Sequence, residues 1–206
     1  MPPRKKWFQI LIISFGWFAL IAQFYLIILN RIVPIGETII RYFSYFTILT
    51  NLLVALCFTI LLFEKKSKSA TFFSRPATLT AITVYILIVG IVYNLILRFL
   101  WRPQGLQLIV DELLHTVIPI LCVTFWWINI SRKKLKWKDA FPWLIFPLMY
   151  IFYTFIYGKI SGFYPYPFID VNKIGYQQVL INSGMLAGCF LIVSWIFIAI
   201  TKKREQ

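Results

Sequence analysis

"FQILIISFGWFALIAQFYLIIL", residues 8–29, runs for 22 residues without a charge. Wound as an α-helix at 1.5 Å per residue it is about 33 Å long, which matches a bilayer hydrocarbon core of about 30 Å. Its apolar residues follow no single stripe, so such a helix is apolar all round and suits lipid or a deep interior rather than a water-facing surface. A basic lead, "MPPRKK", precedes it, as in a secretory signal. The hydrophobic region of a signal, however, is typically only about 7–15 residues and ends at a small-residue cleavage site. This run is longer and ends at "LILNRIVP", so the expectation is an uncleaved first membrane span.

Five further apolar runs follow, at 38–63, 77–100, 108–130, 141–158 and 176–200. All but 141–158 reach the roughly 20 residues a spanning helix needs; that one is short and is interrupted by Pro147. Composition agrees. Only 14% of the residues are charged, against roughly 25% in soluble domains, and the mean hydropathy is +0.79. No segment alternates polar and apolar residues as a membrane barrel strand does. The expected fold is all-α, a six-span helical membrane bundle forming one domain over residues 1–206.

The basic residues divide unevenly between alternate loops. The N-terminal tail (Arg4, Lys5, Lys6), "EKKSKSATFFSRP", "SRKKLKWKDA" and the C-terminal tail hold 15 of the 21. Cytoplasmic loops carry the excess of Lys and Arg, so both termini are expected to be cytoplasmic, in a multi-pass protein of the cell membrane. Trp7, Trp126, Trp127, Trp137 and Trp143 flank that face as an interfacial belt. A net charge of +14 in membrane-flanking clusters points to anionic headgroups, not to nucleic acid. Cys57, Cys122 and Cys189 lie within spans, with no metal-ligand spacing. No phosphate-binding loop or internal repeat is present, and neither a metal nor a cofactor is expected.

Polar residues concentrate in the outer halves of the spans. Counting about 1.5 Å per residue from Thr38 puts Thr47 about 13 Å deep, and counting from Leu108 puts His115 about 10 Å deep. Gln23, Tyr93, Asn94, Arg98, Gln177, Gln178, Asn182 and Ser183 fall at comparable depth, as do Tyr150, Tyr153, Thr154 and Tyr157. Polar groups avoid lipid, so together they predict a polar cavity opening to the outer face. Taken singly, each could simply make an interhelical hydrogen bond.

His115 is the only histidine. Asp111 and Glu112 lie four and three residues before it, so either carboxylate can share its helix face and orient the ring. Pro119 lacks an N–H, which deprives the His115 carbonyl of its helical partner and predicts a kink. In "YFSYFTILTNLL", Ser44, Thr47 and Asn51 form one stripe of a helix, and Thr47 could bond back to the carbonyl of Phe43. One histidine makes no metal site, which disfavours metal-assisted hydrolysis.

"YFTILTNLL", "ELLHTVIPIL" and "GFYPYPFID" together resemble the androgen-induced protein family, in its prokaryotic six-span branch. The animal members are threonine hydrolases of fatty acid esters of hydroxy fatty acids. The resemblance implies a catalytic threonine at Thr47 and a catalytic histidine at His115. Where the animal proteins carry an acidic residue three positions after the threonine, this chain has Thr50; where they have Asn-His, it has Asp111-Glu112.

The expected function is therefore hydrolysis of lipid esters within the membrane. Thr47 would be the nucleophile and His115 the base, with Asp111 or Glu112 orienting the ring and Asn51, Asn94 or Asn182 donating to the oxyanion. "GKISGFYPYPFID" would cap the mouth. The rival expectation is a lipid-binding or transport protein that uses the same cavity without covalent chemistry. A purely structural membrane subunit would satisfy its polar groups in pairs and leave no cavity.

Overall fold

The computed structural model describes residues 3–64, 66–129 and 135–203, and among these every regular element is helical. Lys65, Arg132, Lys133, Lys134, Arg204 and Glu205, part of the charge asymmetry above, lie outside the described residues, as do the side chains of Arg4 and Lys5. Among the described residues, six helical stretches are long and apolar enough to cross a membrane: Lys6–Leu29, Phe46–Phe63, Pro76–Phe99, Leu106–Asn129, Trp137–Ser161 and Val171–Lys203. The chain is a polytopic six-helix bundle.

The first span, α1 (Pro3–Leu29), is unbroken. The second run differs from its reading as one helix over 38–63. A short amphipathic helix, α2 (Ile35–Phe43), ends at Ser44, Tyr45 is extended, and α3 (Phe46–Phe63) starts afresh. The break divides the expected Ser44–Thr47–Asn51 stripe, and depth can no longer be counted from Thr38. It is held by neighbours: the Tyr150 hydroxyl donates to the Ser44 carbonyl (2.9 Å), and Tyr153 bonds the Ser44 hydroxyl.

After the short α4 (Lys68–Phe73), helix α5 (Pro76–Leu95) runs through the centre of the bundle, largely buried and touching α3 and the fourth and sixth spans. The fourth span is composite: α6 (Leu106–Glu112), a π-helical turn at Leu113–Val117, and α7 (Ile118–Asn129). The wide turn follows from Pro119, which offers the His115 carbonyl no N–H. Gly90 of α5 lies against this turn, where an added Cβ would come within 3.0 Å of the His115 carbonyl oxygen.

The fifth span combines a short α8 (Ala140–Trp143) with α9 (Ile145–Ser161), longer than the expected 141–158. Pro147 does interrupt the span: without an N–H it leaves the Trp143 carbonyl unpaired within the helix, α8 ends there, and the Tyr85 hydroxyl takes that carbonyl instead. Gly162 stops α9 in the left-handed region at φ 70°, which a side chain would strain. Residues 163–170 form an ordered loop leading into α10 (Val171–Lys203), itself bent at Gly175 (φ 74°).

Lipid gives no hydrophobic drive between helices, so packing and interhelical hydrogen bonds hold them together. Tyr42 donates to the Leu20 carbonyl, Tyr85 to that of Trp143, and Trp126 to the Thr80 hydroxyl, at 2.7–2.8 Å. Each such bond contributes roughly 0.6 kcal/mol. They are the polar pairs of a structural bundle, and none of them reaches Thr47 or His115.

Candidate functional site

Thr47 is the second residue of α3, so its backbone N–H lies in the first helical turn and has no carbonyl four residues back to bond. Its hydroxyl does not return to Phe43, because that residue belongs to α2 across the break. Instead Thr47 Oγ1 lies 3.3 Å from His115 Nε2 and 3.2 Å from the hydroxyl of Tyr166. The Thr47 N–H donates to that same phenol oxygen at 3.2 Å. The structure thus brings Thr47 and His115 together and adds Tyr166, which sequence reasoning left inside the cap segment without a role.

His115 occupies the π-helical turn. Its Nδ1 lies 2.9 Å from the Asp111 backbone carbonyl and 3.3 Å from Asp111 Oδ1. Neither a carbonyl nor a carboxylate oxygen can donate, so when the ring is neutral Nδ1 carries the hydrogen and Nε2 is left to accept. The Thr47 hydroxyl therefore donates to Nε2, the direction a general base requires. The Tyr93 ring stacks on the imidazole with centroids 4.0 Å apart and planes 15° from parallel, and its hydroxyl donates to Asp111 Oδ2. One tyrosine thus fixes both the ring and the carboxylate behind it.

The two candidate carboxylates separate in space. Asp111 faces the imidazole and its side chain is only 6% exposed. Glu112 turns away, paired with Arg98 at 2.6 Å, and Arg98 also donates to Thr116. Positions i−3 and i−4 both flank the histidine's face; Arg98 draws Glu112 away and leaves Asp111 behind the ring.

The three asparagines named as oxyanion donors all bond backbone carbonyls in this structure. Asn51 donates to the carbonyls of Thr47 and Leu114. Asn94 donates to those of Gly90 and His115. Asn182 donates to Phe168 and accepts from Gln178. An asparagine has two N–H donors on one amide nitrogen, and here that nitrogen is turned to the backbone in each case. Asn94 instead supplies the His115 carbonyl with the partner that Pro119 withholds, stabilising the turn. Asn182 anchors the loop. Gln177 and Gln178 are exposed, so the sixth span adds none of its expected amides to the cavity.

Two cavities meet at Thr47, and Tyr166 and Leu97 also line both. One, about 590 Å³, is lined by Gln23, Tyr93, Gln107, Asp111, His115 and Lys173 among others. The other, about 320 Å³, is walled almost wholly by hydrocarbon, including Ile88, Val92, Ile151, Leu180 and Phe190. The Thr47 hydroxyl thus lies where a cavity with several polar and charged side chains adjoins an oily one.

Tyr166 reaches this point because of its loop. Asn182 holds the Phe168 carbonyl at 2.8 Å, Asn172 holds that of Gly162 at 3.3 Å, and Phe168 stacks on Tyr166 at 5.3 Å. Burial pushes the Tyr166 phenol up to about 12, partly offset by its hydrogen bonds to Thr47. It therefore stays protonated at neutral pH, able to donate as well as accept.

Fold and site define a multi-pass membrane protein with a largely buried hydroxyl–imidazole–carboxylate series at the junction of two cavities. No family model, curated protein or solved structure matches the chain.

Proposed function

We propose that this protein is an intramembrane hydrolase of lipid esters. The observation that carries the reading is the 3.3 Å approach of Thr47 Oγ1 to a His115 Nε2 whose Nδ1–H is directed at Asp111, at the junction of the two cavities. A structural threonine needs no base beside it, and an adjacent base is what makes a hydroxyl nucleophilic. The oily cavity takes the acyl chain of the ester and the cavity lined by His115 and Asp111 its alcohol portion, which sets the carbonyl at Thr47.

His115 removes the Thr47 proton as Oγ1 attacks, then gives it to the leaving alkoxide. Water, activated by the same imidazole, releases the acid from the acyl-threonine. Membership of the androgen-induced protein family and the fatty acid ester of hydroxy fatty acid class belong to this proposal, on the residues quoted above. The test is incubation of the purified protein with a panel of lipid esters, with Thr47→Ala in parallel. Binding of these lipids with no turnover of any ester by the wild-type protein would favour the lipid-binding reading instead.

Asp111 and Glu112 are expected to part company in that assay. Asp111→Asn leaves the backbone carbonyl holding Nδ1–H but removes the charge that stabilises the imidazolium, and turnover should fall about a hundredfold. Glu112→Gln breaks a half-exposed ion pair, so turnover should stay within about fivefold of wild type. Equal losses in the two variants would remove Asp111 from its role.

The site is proposed to open toward the outside of the cell membrane, with both termini cytoplasmic, because the basic residues favour the opposite face. Ser67→Cys and Ser161→Cys should then react with a membrane-impermeant thiol reagent from opposite sides in intact cells and inverted vesicles. Labelling of both from one side would refute the topology.

A further inference from the structure

The hydrolase reading leaves the developing oxyanion without an asparagine donor, since Asn51 and Asn94 each spend both N–H groups on backbone carbonyls and Asn182, bonded to the Phe168 carbonyl, lines neither cavity. Near the nucleophile, the donors are the Thr47 N–H and the Tyr166 hydroxyl. With a neutral His115 ring protonated at Nδ1, their arrangement follows. With the Thr47 hydroxyl donating to His115, its oxygen is free to accept, while the phenol oxygen already accepts the Thr47 N–H. The phenol hydrogen therefore points at Thr47 Oγ1, 3.2 Å away.

We propose that Tyr166 is a catalytic residue of this site, its phenol hydrogen serving as the oxyanion donor for an ester carbonyl attacked by Thr47. The inference rests on the hydrolase reading and adds a residue to it. In the first step the Thr47 Oγ1–carbon bond forms, the C=O π pair moves onto the carbonyl oxygen, and the Thr47 proton passes to His115 Nε2. Negative charge then appears on an oxygen bonded to the same carbon as Oγ1, within reach of the phenol. The O–H turns about its C–O bond to follow that charge from Oγ1 to the oxyanion. When the oxyanion collapses, the pair re-forms C=O, the alkoxide leaves and takes the proton from His115, and the phenol returns to Oγ1. Water addition to the acyl-threonine repeats the cycle with the same donor. Tyr166 keeps its own proton throughout, and its position on both cavities places the donor where acyl and alcohol portions meet.

The experiment is Tyr166→Phe, which retains the ring stacked on Phe168 and packed edge-on to Tyr45. Loss of one oxyanion donor should lower kcat about 100- to 1,000-fold. KM should change little, because the donor acts on charge absent from the ground state. Two ligands give a second readout: a long-chain trifluoromethyl ketone, which adds the Thr47 hydroxyl to form a tetrahedral oxyanion, and the ether analogue of an ester, which cannot. The variant should bind the ketone weaker by a factor similar to the kcat loss and the ether as tightly as wild type does. Unchanged kcat would overturn the proposal. Raised kcat or lowered KM would also overturn it, showing Tyr166 to be a plug over Thr47. Equal weakening of ether and ketone would reduce it to a structural residue. Turnover that survives Thr47→Ala would instead sink the nucleophile assignment, and with it this proposal, before Tyr166→Phe is compared.

Discussion

Thr47→Ala and His115→Ala should each abolish hydrolysis of whichever lipid ester the wild-type protein turns over, lowering kcat at least about a thousandfold. The double variant should be little worse than either single one. A threonine hydroxyl is a weak nucleophile without a base, and the base has no proton to take once the hydroxyl is gone. Groups that act as a unit lose their contribution together, so the effects are strongly non-additive.

Both variants should remain folded in detergent. Thr47→Ala removes the hydroxyl's contacts, each contributing about 1 kcal/mol, but keeps the backbone N–H that holds Tyr166. His115→Ala loses the stack on Tyr93 while leaving Tyr93 bonded to Asp111. Thr47→Ser keeps the hydroxyl and should retain measurable turnover. Kinetics of the four proteins on one ester, with size-exclusion profiles as the folding control, make the test. Additive losses would mean two residues acting separately. Activity persisting in Thr47→Ala would make water, activated by His115, the better nucleophile.

A second large effect is expected at a glycine that carries no reacting group. Gly158 of α9 lies under the Tyr164 ring, and a Cβ there would stand 2.2 Å from Tyr164 Cε1 and 2.3 Å from Cζ. The colliding atoms belong to the Tyr164 ring, carried on a loop that follows the turn at Gly162 and includes Pro165 and Pro167. Gly158→Ala should therefore lift the loop, an overpacking strain of about 1–3 kcal/mol. Tyr166 would leave Thr47, and turnover should fall about a hundredfold, as for loss of a donor. Limited proteolysis should then cut within residues 162–170 faster than in wild type. Gly188→Ala, where a Cβ would meet nothing within 4 Å, is the control and should change neither readout. An equally resistant loop in Gly158→Ala would show that Tyr164 does not seat it.

The site was partly legible in the sequence for a chemical reason. A lone histidine with carboxylates at i−3 and i−4 and a proline at i+4 is a local pattern, and helical geometry turns it directly into a ring with a carboxylate behind it. Thr47 had no such local mark among the threonines of its run. Its selection depended on resemblance, and its meeting with His115, 68 positions away, depended on how α3 packs against the fourth span.

Span number and fold class followed from the sequence alone, because transfer into lipid is summed over each run and needs no knowledge of the neighbours. Which carboxylate faces His115, what the asparagines bond, where the second run breaks and what Tyr166 touches were decided only by the tertiary structure. Ser44 breaks its helix because Tyr150 and Tyr153, more than 100 positions away, bond it there. Asn51, Asn94 and Asn182 could each donate to a substrate or to a carbonyl, and the carbonyls brought alongside them took the bonds. Hydropathy is a property of one segment, whereas a hydrogen bond belongs to two groups, and the second group is in place only when the bundle has closed.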